Sequence, residues 1–162
     1  MNDYAEVEAE AARREFLTCR LADESYGIDI LLVQEIREVR QVTRVPHVSN
    51  YVRGVVNLRG AIVPVVDLAL MFGFDKPTSL SEASAIVLNV DGRLVGIVVT
   101  AVSDVIALTD EEITPAPELA SQKIGSAIYG IGTRKGAEGE KDVSVLLLDV
   151  MGIMRRIREE AE

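Results

Sequence analysis

The placement of the β-branched residues constrains this chain most. Val and Ile together account for 35 of its 162 residues, against 15 Leu. Branching at Cβ stiffens χ1 and suits a pleated sheet better than a helix. These residues gather in short runs bounded by turn residues. The pattern predicts strands over 15–21, 26–30, 36–42, 54–58, 61–66, 85–90, 94–100, 105–108, 127–133 and 143–148. Asp91-Gly92 between two apolar runs predicts a tight hairpin, because glycine supplies the positive φ that such a turn needs, and Arg59-Gly60 repeats the arrangement. Helices are few. Asp67 before Leu68 and Gly73 after Phe72 punctuate one short helix. Residues 150–160, opened by Asp149, predict a second, with Arg155, Arg156 and Arg158 on a solvated face. The stretch from Tyr4 to Arg14 reads as a frayed helix or a tail. Short strands without long amphipathic helices between them predict an all-β chain of small barrels or sandwiches, not a doubly wound α/β sheet.

A repeat is present in the spacing. Gly27-Ile28 recurs as Gly96-Ile97, Val33 as Val102, Glu35 as Asp104 and Pro46 as Pro115, all at an offset of 69. Gly54 and Gly60 recur as Gly130 and Gly136 at 76, and Asp67 as Asp149 at 82. The growing offset asks for insertions in the second copy, and residues 136–142 are one. The repeated unit is a hairpin, an acidic turn, a strand, a proline, two glycine-bounded strands and an Asp-capped helix. Duplication predicts two five-stranded barrels side by side, with the cleft between them as the natural binding surface.

The residue inventory excludes several functions. Seventeen Lys and Arg against 26 Asp and Glu leave a net charge of −9, which opposes nucleic-acid binding. The single cysteine, Cys19, excludes an intrachain disulfide and a thiolate metal cluster, and the single histidine, His47, excludes any site that needs two. Residues 1–15 carry five acids, two arginines and no apolar run, unlike a leader peptide, and no stretch approaches the ~18 apolar residues of a membrane helix. A cytoplasmic protein is expected. Its start at Met1 and its closing helix predict a complete chain. Neither a nucleophile elbow nor a P-loop occurs, and Gly130-Ile131-Gly132 followed by Gly136 is one residue too long for a dinucleotide fingerprint. Cys19, between Leu17 and Leu21, reads as a small core residue and His47 as an exposed loop residue. Asp29, Glu35, Asp67, Asp104 and Asp149 read as caps and repeat positions, not catalytic pairs. No cofactor, metal site or catalytic residue is expected, so a binding module is favoured over an enzyme.

Two stretches carry a resemblance. Residues 26–37, YGIDILLVQEIR, and residues 51–68, YVRGVVNLRGAIVPVVDL, are similar to the CheW family of chemotaxis coupling proteins. Val95 to Val99 and Val102 to Val105 extend the likeness, which spans about residues 15–154. The resemblance implies two SH3-like five-stranded β-barrels, a CheW-like domain over 15–154 with approximate halves 15–80 and 81–149, strand exchange between them, an acidic tail over 1–14 and a C-terminal helix and tail over 150–162. It implies a non-enzymatic adaptor that couples the cytoplasmic hairpin tip of methyl-accepting chemotaxis receptors to the regulatory domain of the histidine kinase CheA. Contacts with other CheW-like domains and recruitment to membrane-associated receptor arrays follow, with no direct insertion in the membrane.

By the same resemblance, Leu17, Ile30, Val33, Glu35, Asn57, Leu58, Arg59, Val98 and Val102 match the receptor-binding surface. Glu35 and Arg59 are expected to approach as an ion pair. Val42, Thr43, Arg44 and Val45 match a kinase-binding loop on one barrel's edge. Gly54, Gly60, Gly96 and Gly130 match positions held as glycine for backbone reasons. Residues 136–142 form a longer loop than the family's usual turn. The alternatives are a CheW-like regulatory domain of a larger chemotaxis signalling protein, or a small β-barrel binding module with another partner.

Overall fold

The structure is a computed structural model and describes residues 13–116 and 127–161. Among the described residues, eleven strands and two α-helices follow in chain order: β1 (Arg14–Leu21), β2 (Glu24–Asp29), β3 (Val33–Arg37), β4 (Val52–Leu58), β5 (Ala61–Asp67), α1 (Leu68–Met71), β6 (Ser84–Val90), β7 (Arg93–Val99), β8 (Ala101–Leu108), β9 (Ile113–Pro115), β10 (Ile128–Arg134), β11 (Val143–Leu148) and α2 (Val150–Ala161). One-turn 3-10 helices, Ile30–Leu32 and Asp110–Glu112, precede β3 and β9.

The strands form two sheets, ordered β8-β1-β2-β11-β10-β9 and β3-β6-β7-β5-β4. The two orders are the same order. Each opens on the strand after a hairpin (β8, β3), continues through a hairpin (β1-β2, β6-β7), and crosses by a parallel step to a returning pair (β11-β10, β5-β4). The parallel step sets Gly27 beside Leu147 in one sheet and Gly96 beside Val65 in the other. Each sheet curls closed because the chain leaving its edge strand pairs on the far side: β9 with β10, and Thr43 with Val55 of β4. These are the two SH3-like barrels.

The hairpins are exchanged. In sequence, β1-β2 precedes β3–β5, yet it pairs with β8 and β11 of the second half. Reciprocally, β6-β7 completes the barrel of β3–β5. The barrels therefore do not divide at residues 80 and 81, and each holds strands from both halves.

Both faces of each exchanged hairpin are buried. Leu17, Cys19, Leu21, Tyr26 and Ile28 of one hairpin share a single core with Ile86, Leu88, Val90, Val95, Ile97 and Val99 of the other. The opposite faces fill the barrel interiors: Phe16 joins Ile106, Leu108, Val145 and Leu147, while Ala85 and Val98 join Val65 and Val39. Burial on both sides explains why Ala85-Ile86-Val87-Leu88 and Val95 to Val99 are continuous apolar runs instead of alternating ones. Helix α2 closes one end of this shared core with Val150 and Ile153.

The first-half strand expected over 36–42 lies instead at Val33–Arg37. Beyond Arg37 the chain leaves β6, drops Val39 into the barrel interior and crosses to β4. Strand β9 has only three residues, too few to register as a run. Arg14 belongs to β1, so the tail ends before it; the rest of the 1–14 stretch, up to Ala12, lies outside the described residues.

Candidate partner-binding site

The site is the seam between the barrels, on the face that the exchanged hairpins turn toward each other. Residues directly opposite on neighbouring strands share a face. Val33 lies opposite Leu88 and Ile36 opposite Ile86. In the other barrel Val102 lies opposite Cys19 and Val105 opposite Leu17. Their partners on β6 and β1 belong to the shared core, so all four face the seam. Unlike those partners, they reach solvent: Val33 and Val102 are half-buried, and Ile36 and Val105 are 46% and 45% exposed. The two pairs are equivalent in the repeat, at an offset of 69. The 3-10 turn Ile30–Leu32 touches both β1 and β6 and so spans the seam; it half-buries Ile30 and leaves Leu31 88% exposed. Asp29 fixes this turn by accepting from the Leu31 N–H at 3.0 Å.

A bulge in each edge strand aims these residues outward. The pairing of β3 with β6 slips between Val33 and Glu35, and that of β8 with β1 slips between Val102 and Val105. A bulge adds twist and re-aims side chains. In the second case the buried Thr18 hydroxyl restores the lost ladder bonds, donating to the Asp104 carbonyl at 2.7 Å and accepting from its N–H at 3.1 Å.

The polar rim is built on one barrel only. Glu35 and Arg59 form the expected ion pair, with Nη2 to Oε1 at 3.0 Å, and Arg37 adds a longer contact to Glu35 at 3.7 Å. Arg59 and Gly60 occupy the two central positions of the β4-β5 turn with φ of 50° and 91°. Positive φ is uncommon for arginine, so the turn needs support. Asn57 supplies it, its Oδ1 accepting from the Gly60 N–H at 2.9 Å. Asn57 thus holds the turn that presents Arg59. The repeat counterparts Asp104 and Lys135 form no ion pair among the described residues.

Three residues expected on the surface are interior. Leu17 is 4% exposed in the shared core, Val98 is 1% exposed inside the five-stranded barrel, and Leu58 is 6% exposed beside Val63 and Val87. They shape the seam from beneath and offer a partner no surface. Ile36, Leu31 and Val105 were not singled out in the sequence. The offset of 69 that pairs Ile36 on β3 with Val105 on β8 is the signal that finds these two positions.

The segment 42–45 lies along the outer edge of β4. Thr43 exchanges two backbone hydrogen bonds with Val55, at 2.9 and 2.8 Å, half-burying Val42 and leaving Arg44 and Val45 exposed. Gly54 is required there, since its φ is +148° and a Cβ would stand 2.5 Å from the Thr43 carbonyl oxygen. Gly130 is its counterpart, with 2.9 Å to the Thr114 oxygen. Gly96 is different: a Cβ would meet nothing nearer than 3.7 Å, so no close approach demands glycine. Cys19 is wholly buried, and burial pushes its thiol up to about 12. Among the described residues, no three His, Cys, Asp or Glu gather as metal ligands, and no helix is long and apolar enough to cross a membrane.

Comparison with known proteins places this architecture. The CheW-like domain family matches residues 15–158. The chemotaxis protein CheW of Klebsiella aerogenes is 43% identical over 146 residues, 90% of this chain and 84% of its own. That of Thermotoga maritima is 32% identical over 145 residues, 88% and 89% of the two chains. The crystal structure of the scaffolding protein TtCheW from Thermoanaerobacter tengcongensis superposes with a TM-score of 0.71 at 27% identity, over 84% of this chain and 88% of that one. With the repeat, the two barrels and these likenesses together, the chain belongs to the CheW family of chemotaxis scaffold proteins.

Proposed function

We propose that this protein is a non-enzymatic adaptor that couples chemoreceptors to the histidine kinase CheA. The observation that carries the reading is the seam: an exposed apolar band of Leu31, Ile36, Val105 and their half-buried neighbours, edged by Glu35 and Arg59. A receptor's cytoplasmic tip is a helical hairpin, and helices bind by laying apolar side chains into a groove with a polar rim. The Glu35–Arg59 pair is exposed and adds only about 0–1 kcal/mol to the fold, so its value lies in orienting the rim. The edge at 42–45 takes the regulatory domain of the kinase, whose barrel edge is of the same kind, and other CheW-like domains present equivalent edges. Such a protein works in the cytoplasm, at membrane-associated arrays.

The test uses a receptor hairpin-tip fragment and calorimetry. Val33→Asp puts a charge into the seam and is expected to weaken binding by at least about tenfold, or 1.4 kcal/mol, with the circular dichroism melt retained. Val45→Asp is expected to spare receptor binding and weaken capture of the kinase domain. Unchanged receptor affinity in folded Val33→Asp protein contradicts the reading.

A further inference from the structure

Away from the seam, where the β6-β7 turn meets helix α2, lies a recess of about 340 Å³. Val90, Met151 and Met154 supply its apolar lining, and Arg93, Arg155 and Arg158 surround it. Met151, Met154, Arg155 and Arg158 follow the i, i+3, i+4, i+7 spacing of one helical stripe. That stripe runs beside the one that Val150 and Ile153 bury in the shared core. Met151 is 51% exposed, and all three arginines are exposed.

The charge here opposes that of the whole molecule. The protein carries −9 overall, yet three arginines gather at this recess against one acid, Asp91. None of the three forms an ion pair among the described residues. Elsewhere Arg14, Arg37, Arg40, Arg53, Arg59 and Arg156 have carboxylate partners, and Arg20, Arg44 and Arg134, which form no ion pair among the described residues, lie outside this recess. Guanidinium forks match carboxylates with two parallel hydrogen bonds. Methionine adapts its shape to whatever apolar group enters. The turn beside it is tight: Asp91 and Gly92 have φ of 51° and 86°, and the Gly92 N–H donates to Asn89 Oδ1 at 2.9 Å.

We propose that this recess binds an acidic segment of a partner protein. One apolar side chain of the segment enters between Met151, Met154 and Val90, and flanking carboxylates pair with Arg93, Arg155 and Arg158. Charge complementarity favours this occupant. A flat anionic membrane is disfavoured, because it cannot enter a recess and is repelled by the net charge. The site is separate from the seam and does not depend on the receptor reading.

The test is fluorescence anisotropy of the full chain with a labelled acidic peptide of Asp and Glu around a central Leu, and with the same peptide carrying Lys in place of its acids. Vesicles containing about 30% phosphatidylglycerol are run in parallel. Saturable binding of the acidic peptide is expected, with amide shifts confined to residues 90–93 and 151–158. Binding should weaken at least about tenfold in R155E/R158E, and receptor-tip affinity should stay unchanged. As both side chains are exposed, the fold survives the exchange; Met154→Gln, expected to weaken binding severalfold, checks the apolar contact without altering charge. No binding at millimolar peptide, equal binding of the lysine peptide, an unaffected R155E/R158E variant, or association with vesicles in preference to peptide would each overturn the proposal.

Discussion

The two barrels share one strand order, one parallel crossing and one pair of bulges, but they secure the same corner differently. In each, an aspartate stands where a strand gives way to a helix, Asp67 at the end of β5 and Asp149 just after β11, and its N–H donates at 2.7 Å to a carbonyl, Tyr51 for Asp67 and Ala127 for Asp149. Asp149 then does little more, its Oδ1 accepting from the Gly152 N–H at 3.0 Å. Asp67 is wholly buried and accepts from the Ala69 N–H, from the Thr78 N–H and hydroxyl, and from Arg53. Arg53 also donates to the Thr78 carbonyl at 2.7 Å. Duplication supplied the cap twice. Only the five-stranded barrel, which carries the Glu35–Arg59 rim, extended it into a network that fixes the loop after α1.

The largest break in this comparison is expected at these aspartates. Asp67→Ala strands Arg53 in a half-buried place and is expected to cost about 3–5 kcal/mol, whereas Asp149→Ala loses a cap worth about 1 kcal/mol. Urea unfolding of the two variants measures the difference. Next come the glycines that lie close to a neighbouring carbonyl. Gly54→Ala suffers both its positive φ and its 2.5 Å approach to Thr43 and is expected to cost about 2–3 kcal/mol, more than Gly130→Ala, while Gly96→Ala stays within about 1 kcal/mol. Arg59→Ala and Lys135→Ala should both leave the melt within about 1 kcal/mol; only Arg59→Ala is expected to weaken receptor-tip binding.

The smallest effect is electrostatic and lies at the helix end. Tyr51 donates a short hydrogen bond to Glu160, with Ser49 and Arg156 on the same carboxylate, and the bond from Tyr51 is the main reason that Glu160 is held below its usual carboxylate range. A depressed carboxyl stabilises the folded state above its unfolded value, near 4.5, and loses that contribution as pH falls through its folded value. Acid titration followed at α2 amides should therefore show loosening of the helix end beginning below about pH 4.5, and Tyr51→Phe should reduce that dependence.

Much of this was legible in the sequence. The offsets of 69, 76 and 82 correspond to real register: β4 maps on β10 at 76 to the residue, and β5 on β11 at 82 from the same first residue. The turn Asp91-Gly92 and both capping aspartates follow from local chemistry, whereas the Glu35–Arg59 approach is legible only through the family resemblance. What the sequence hides is partnership. An apolar run tells that a strand is buried but not by what, so nothing in Gly27-Ile28 says that its parallel neighbour is β11 instead of β5. The resemblance places Leu17 and Val98 on a surface when each is covered, and the apolar runs do not correct it, because a strand buried on both faces has no exposed side to mark. The bulges at Gln34 and Ser103 then break the alternation that would have identified Ile36 and Val105 as seam residues.

On the function proposed above, the receptor binds the seam closed by the exchanged hairpins. The most direct measurement is an amide-shift titration of labelled protein with a receptor hairpin-tip fragment. Shifts are expected on both barrels together, at residues 30–36 with Arg59 on one side and 102–105 on the other. Shifts limited to one barrel, or centred on residues 42–45 with the seam silent, would contradict it.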